Sequence, residues 1–399
     1  MTNFVYISPA FPETNVNFCE HLARAGVRVL GVGDTPYETL SDRLRYALTE
    51  YYRVDSLEDY DGVLRAVGYL THRYGKVDWI ESNNEYWLSL DARLRDDFNV
   101  RTGHGTAQLE AIKSKSAMKP VYARAGVPTA RQERVSDAFG VRAFAARVGY
   151  PIVAKPEYGI GAVGAFRLAS DAEVDAAFAD VGPDSYVVEE FVVGDLVSYD
   201  AILDGDGDPV FEAATLWPPS IMDVVTDHLD LTYRIAAELP EGLGEVGLRT
   251  ARAFGMRNRF VHEEFFRLTA DKPGLGRAGE YVGLEVNMRP AGGNTLDMYN
   301  YARDADVYQI YTDVVTGLDT GAAWAAAAAP AFAVYAARRD EFSYRVNWST
   351  VLAKYAGEIR QTQRNPPLFV PQLGNDYAII RTPDASRADE FAADVTTRA

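Results

Sequence analysis

Apolar and polar positions in the first hundred residues alternate between two periods. Phe4-Val5-Tyr6-Ile7 and Val27 to Val32 are short apolar runs of strand type, the second closed by Gly33-Asp34, and Val77-Asp78-Trp79-Ile80 predicts a third strand. Val16 to Ala25 and Glu85 to Phe98 instead repeat apolar residues at helical spacing, the first ending at Gly26. Strands and helices in this alternation predict a parallel sheet with crossover helices, a small doubly wound domain.

Beyond it the texture changes twice. Ala107 to Ala125 predicts one lysine-rich helix, stopped by Gly126 with Pro128 close behind, and Ser136 to Val148 predicts another, stopped by Gly149-Tyr150-Pro151. Strands follow: Ile152-Val153-Ala154, Ala165 to Leu168 and Tyr186-Val187-Val188, with a helix opening at Ser170-Asp171 before the last. Residues 196–216 form a hairpin pattern around Asp204-Gly205-Asp206-Gly207-Asp208. An EF-hand loop would need glycine where Pro209 stands and glutamate at Thr215, so this is a polar turn. Glu241 to Phe254 predicts a helix. Phe260 to Leu268 and Tyr281 to Met288 predict two strands about the turn Lys272-Pro273-Gly274. After the alanine-rich stretch Gly321 to Pro330, residues 331–399 mix both patterns and predict a smaller unit.

Composition narrows the class. A length of 399 residues suggests about two to three domains. Lysine plus arginine is 40 against 57 aspartate plus glutamate, a net charge of −17. That surplus argues against nucleic acid or an anionic membrane surface as partner, while leaving room for a local basic pocket. The start carries no basic region followed by an apolar run, and the longest apolar run is too short to cross a bilayer. The single cysteine, Cys19, lies in a helical apolar pattern and reads as a small buried hydrophobe of a reducing compartment. The expectation is a soluble, cytoplasmic protein.

Two constellations carry chemistry. Gly159-Ile160-Gly161-Ala162-Val163-Gly164 spells G-x-G-x-x-G, but a strand follows it where a dinucleotide fold needs a helix. The glycines therefore tip a β-hairpin, whose backbone N–H groups can cradle an anion. Lys155, four residues earlier at the end of an apolar strand, is placed to hold a phosphate as a point charge. No G-x-x-x-x-G-K-[ST] sequence is present, which excludes a P-loop.

The second constellation is His262-Glu263-Glu264 with Glu285-Val286-Asn287-Met288-Arg289. Phe266 occupies the position of the second histidine of H-E-x-x-H, which argues against zinc. Alternation puts Glu285 and Asn287 on one strand face, and a turn centred on Gly274 and Leu275 sets Glu264 opposite Glu285. Two facing carboxylates and an amide oxygen suit Mg²⁺ carrying nucleotide phosphates. Glu263 remains an alternative to Glu264. Arg289, ahead of Pro290-Ala291-Gly292-Gly293, offers a guanidinium to a substrate anion or a transferring phosphoryl group, or pairs with a glutamate.

In this order the pieces resemble the ATP-grasp superfamily, and more narrowly its carboxylate–amine ligases. The resemblance implies an α/β and α+β chain. Residues 1–102 would form the N-terminal Rossmann-like domain, 103–192 the ATP-grasp subdomain with the lysines and glycine hairpin, 193–325 the subdomain with the metal site, and 331–399 a small C-terminal α+β unit. It implies Lys115 and Lys155 on ATP, with Lys113 and Lys119 as alternatives to Lys115, and Gly159, Gly161 and Gly164 over the phosphates. Glu189 would meet the adenine amino group, and Glu190 and Val192 the ring through their backbone. Asp195 stands where many members carry a glutamate for the ribose. Glu264, Glu285 and Asn287 would hold Mg²⁺, or Mn²⁺ in its place, and Arg289 and Lys155 would act in catalysis.

The implied reaction activates a carboxylate as an acyl phosphate, which an amine attacks, releasing ADP and phosphate. The implied partners are thus a small-molecule carboxylate and amine. A biotin-carboxylase-like or thiol-forming enzyme, or a nucleotide-binding regulator without catalysis, are the alternatives. Trp217, Tyr233 and Arg234 are candidate substrate contacts. The oligomeric state stays open, a homodimer included.

Overall fold

The computed structural model describes residues 1–159, 164–179, 186–218, 224, 228–318 and 330–399. Gly161 and all but Pro330 of the alanine-rich stretch lie outside the described residues.

The first hundred residues form a parallel sheet of four strands in the order β3-β2-β1-β4: β1 (Asn3–Ile7), β2 (Arg28–Gly33), β3 (Glu50–Arg53) and β4 (Trp79–Glu81). Val5, Ile7, Leu30, Val32 and Ile80 are buried in a core with Val63, Val67 and Leu70 of the helix Tyr60–Tyr74. Strand β3 was not visible in the apolar pattern. Glu50-Tyr51-Tyr52-Arg53 is an edge strand and only part-buried, so polar residues are tolerated there.

A second, antiparallel sheet orders β5 (Gln132–Val135), β6 (Ile152–Pro156), β7 (Phe166–Leu168) and β8 (Tyr186–Glu190) as β5-β8-β6-β7. The expected hairpin is present: β6 pairs with β7 from Ile152 to Ala154, and Gly159 and Gly164 lie between them along the chain. The single helix expected over 107–125 is instead two, Thr106–Lys113 and Lys115–Arg124. Ser114 breaks it. Its hydroxyl accepts from the Ala117 N–H and so caps the second helix, which begins at Lys115.

Eight antiparallel strands make the third sheet: β9 (Gly194–Leu203), β10 (Pro209–Leu216), β11 (Thr232–Ile235), β12 (Arg259–Leu268), β13 (Tyr281–Asn287), β14 (Phe332–Arg338), β15 (Ile359–Arg364) and β16 (Asp376–Thr382). Their order is β13-β12-β9-β10-β11-β14-β16-β15. The strands of 331–399 therefore continue the sheet that carries β12 and β13, through β11 against β14. They also pack a core of their own, with Val334, Ala336 and Ile380 against Val351, Tyr355, Phe391 and Val395. Cys19 is fully buried. No helix among the described residues is long and apolar enough to cross a membrane.

Buried charge ties the parallel sheet to the large one. Glu81, at the end of β4, forms an ion pair with Arg95 at 2.7 Å and accepts a hydrogen bond from Arg259 of β12 at 2.7 Å, all three nearly inaccessible to water. Arg259 also donates to the carbonyl of Met288, the residue before Arg289.

Candidate active site

The sheets meet around a cleft of about 1630 Å³. Lys115, Lys155, Gly159, Glu189, Glu190, Val192, Asp195, Glu264, Glu285, Asn287 and Arg289 all line it.

Its metal-type corner is built by the β12–β13 hairpin. The register sets His262 against Asn287, Glu263 against Val286 and Glu264 against Glu285; a bulge follows Glu264. Alternation then separates the two adjacent glutamates. Glu264 faces the cleft, while Glu263 points into the interior, 0 % exposed and without a hydrogen-bond partner on either oxygen. Burial pushes the Glu263 carboxyl well above the ordinary range, with the charge of Asp200 adding to it.

Behind Glu264 runs a buried chain that the motif reading missed. Asp200 meets His262 Nδ1 at 2.6 Å, and His262 Nε2 lies 3.2 Å from Glu264. Ser198 and Thr215 donate to Asp200 at 2.7 and 2.9 Å. Burial opposes charge on His262, but Asp200 and Glu264 outweigh it and lift its pKa to about 9. Burial likewise works against the Glu264 carboxylate, yet His262, Arg289 and Lys155 hold it below the usual range. Glu285 goes the other way. Burial raises it, Lys115 and Lys155 pull it down, and Glu264 pushes it up.

Two facing half-buried carboxylates and the amide of Asn287 are a donor set that would fit a hard divalent ion. Among the described residues no three His, Cys, Asp or Glu side chains gather as a self-sufficient metal cage.

Opposite lie the lysines. Lys155 Nζ is 2.6 Å and Lys119 Nζ 2.7 Å from the Glu189 carboxylate. Glu189 is thus the counter-ion of two half-buried ammonium groups and still lines the cleft. Burial disfavours its charge, but Lys155 and Lys119 outweigh that and bring its pKa to about 2. Lys115 is less committed, reaching the Gly159 carbonyl at 3.4 Å. Lys113 turns away to Ser89. Gly164 has φ +74°, and a Cβ there would lie 3.2 Å from Pro156, so glycine suits the hairpin on both counts.

A clamp holds the lysine-bearing segments together. Glu157, two residues past Lys155, accepts from the hydroxyls of Ser114 and Ser116 and from the Ser116 N–H, while its carbonyl accepts from Lys115 N–H. Glu190 pairs with Arg131 at 2.7 Å and Lys272 at 3.5 Å, Val192 is buried, and Asp195 is exposed on the cleft lining. Arg289 Nε lies 3.3 Å from Glu85, and its guanidinium reaches Asn287 at 3.5 Å. Glu85 had no signal of its own: an acid near a helix start looks ordinary until its partner 204 positions away is known. Trp217 and Tyr233 line the cleft as a stacked pair at 4.6 Å, and Arg234, also on the lining, pairs with Asp389.

No family model matches the chain. Alanine–anticapsin ligase of Bacillus subtilis (strain 168) is 23 % identical over 266 residues, which cover 60 % of this chain and 54 % of that protein. Phosphoribosylamine–glycine ligase of Synechocystis is 39 % identical over 102 residues, 25 % of this chain and 24 % of the relative. The chain spans about half the length of the alanine–anticapsin ligases it matches, and less of the glycine ligase. Across nearly its whole length it shares the fold of a solved L-amino acid ligase from Bacillus licheniformis. The TM-score is 0.71 at 14 % identity, with 99 % of this chain and 97 % of the other covered. A phosphoribosylglycinamide synthetase from Anaerococcus prevotii superposes with TM-score 0.67 at 12 % identity, covering 100 % and 98 %.

Proposed function

We propose that this chain, which belongs to the ATP-grasp superfamily, is an ATP- and Mg²⁺-dependent ligase joining a small-molecule carboxylate to an amine. The observation that carries the proposal is the union, on one cleft, of Lys115 and Lys155 with the Glu264–Glu285–Asn287 face and Arg289. The amide-forming relatives supply the reaction class.

In this reading Lys115 and Lys155 bind the polyphosphate, and the hairpin tip at Gly159 and Gly164 covers it. Glu264, Glu285 and Asn287 would hold Mg²⁺, which neutralises phosphate charge when bound. A substrate carboxylate oxygen attacks the terminal phosphorus, the bond to ADP breaks, and an acyl phosphate results. The amine then attacks the acyl carbon, the C–N bond forms, and phosphate leaves. Arg289, steadied by Glu85, would stabilise the negative charge that builds in both steps. Glu190 and Val192 would meet the adenine through their backbone, and Asp195 the ribose. The lone buried cysteine accords with a cytoplasmic location.

Purified protein incubated with ATP, Mg²⁺ and pairs of amino acids should release ADP and phosphate and yield a product of the condensed mass. ADP formation that needs bicarbonate alone would favour the carboxylase alternative. Tight ATP binding with no ADP from any substrate would contradict the ligase reading.

A further inference from the structure

Past Arg289 the cleft continues over a floor of aromatic rings. Trp217, Tyr233, Tyr335 and Tyr377 stack in a column across β10 to β16, with centroid separations of 4.6, 4.9 and 4.9 Å. Amide side chains surround its far end: Gln361 donates to the Tyr377 hydroxyl at 2.6 Å, and Asn294 and Gln363 lie 3.4 and 3.3 Å from it. The arginines on this stretch are committed, Arg234 to Asp389 and Arg364 to Asp340 and Asp376.

Asp297 is different. It lies in the first turn of the helix Thr295–Arg303, half-buried, and lines the cleft. Its carboxylate does not cap that helix. It accepts one hydrogen bond, from the Tyr308 hydroxyl at 3.1 Å, and among the described residues no lysine or arginine nitrogen comes within 4.0 Å. Its charge is felt by Tyr233, Tyr301 and Tyr377, whose hydroxyls it pushes toward higher pKa after burial has already done so. A partly desolvated carboxylate without a cation is costly unless a ligand supplies one.

We propose that Asp297 and the surrounding tyrosines form a subsite for a primary ammonium group of a substrate. This rests on the ligase reading and deepens it: the ammonium is that of the molecule whose carboxylate is activated, because the attacking amine must be neutral. The site selects ammonium-bearing molecules over neutral isosteres. Arg289 and the phosphate-binding lysines lie along the same cleft, so a substrate can present its reacting group to them while Asp297 holds its positive end.

The test is calorimetric titration of the full chain with ADP and Mg²⁺ present, using L-alaninamide and its hydroxyl isostere L-lactamide. Neither has a carboxylate to activate, so binding is read without turnover. Wild type should prefer alaninamide by at least about tenfold, the factor expected for one charge-assisted contact. Asp297→Asn should bind the two probes alike, and Asp297→Glu should restore part of the preference. Equal binding by wild type, no binding of either probe, or a preference that survives Asp297→Asn would overturn the proposal. If Asp297→Asn fails to fold, the wild-type ratio and Asp297→Glu still decide. An intact alaninamide preference with no ADP from any substrate pair would sink the ligase reading and leave the ammonium site standing.

Discussion

Glu263 and Glu264 are neighbours in sequence and opposites in surroundings, one sealed behind the sheet and the other open to the cleft. Glu264→Gln should raise the Mg²⁺ concentration for half-maximal ADP formation by at least about tenfold, a loss that even indirect ligand partners cause. Glu263→Gln should leave it unchanged; a shift with Glu263→Gln alone would reverse the assignment. Glu189 makes a second residue-scale prediction. Its folded pKa of about 2 lies below the ordinary 4.5, so its ion pairs stabilise the fold fully above pH 4.5 and fade as pH falls toward 2. Glu189→Gln should therefore melt lower than wild type near pH 6, with the gap closing in acid. Strand alternation and the hairpin turn made the facing of Glu264 and Glu285 beside Asn287 legible in the sequence. Asp200 and Glu85 were not, because their meaning lies in partners 62 and 204 positions away.

The elements that deliver these residues are coupled through a close contact. Gly283 on β13 faces Tyr122 of the helix Lys115–Arg124, and a Cβ there would sit 2.4 Å from the ring. Gly283→Ala must displace that helix or the strand, costing about 1–3 kcal/mol by overpacking. Denaturant melts check this, and the KM for ATP should rise with it because Lys115 rides on the same helix. Ser114→Ala should cost about 1 kcal/mol from the lost cap. The break at Ser114 shows where pattern reading fails. Apolar spacing runs through residue 114, and only the cap and the Glu157 clamp end one helix and start the next. The β12–β13 pairing was legible for the opposite reason, since a short turn fixes register over the residues that matter.

At the scale of the whole molecule, the parallel sheet and the large sheet are joined by Glu81 between Arg95 and Arg259. Glu81→Ala would strand two buried guanidinium groups and should cost about 3–5 kcal/mol, read as a lowered unfolding midpoint. An undiminished midpoint would show that the sheets are held otherwise. The continuity of 331–399 with the central sheet was hidden from the sequence, because strand order across a sheet depends on contacts that local periodicity does not encode. The net charge of −17 belongs to the surface at large; the cleft sets Lys115, Lys155 and Arg289 among its carboxylates. In the proposed function this cleft turns a carboxylate into an acyl phosphate. Hydroxylamine added to protein, ATP, Mg²⁺ and amino acids intercepts that species. A hydroxamate formed in step with ADP, and absent with Glu285→Ala, is the predicted result. ATP consumption without hydroxamate, or release of AMP and pyrophosphate in place of ADP, would contradict the account.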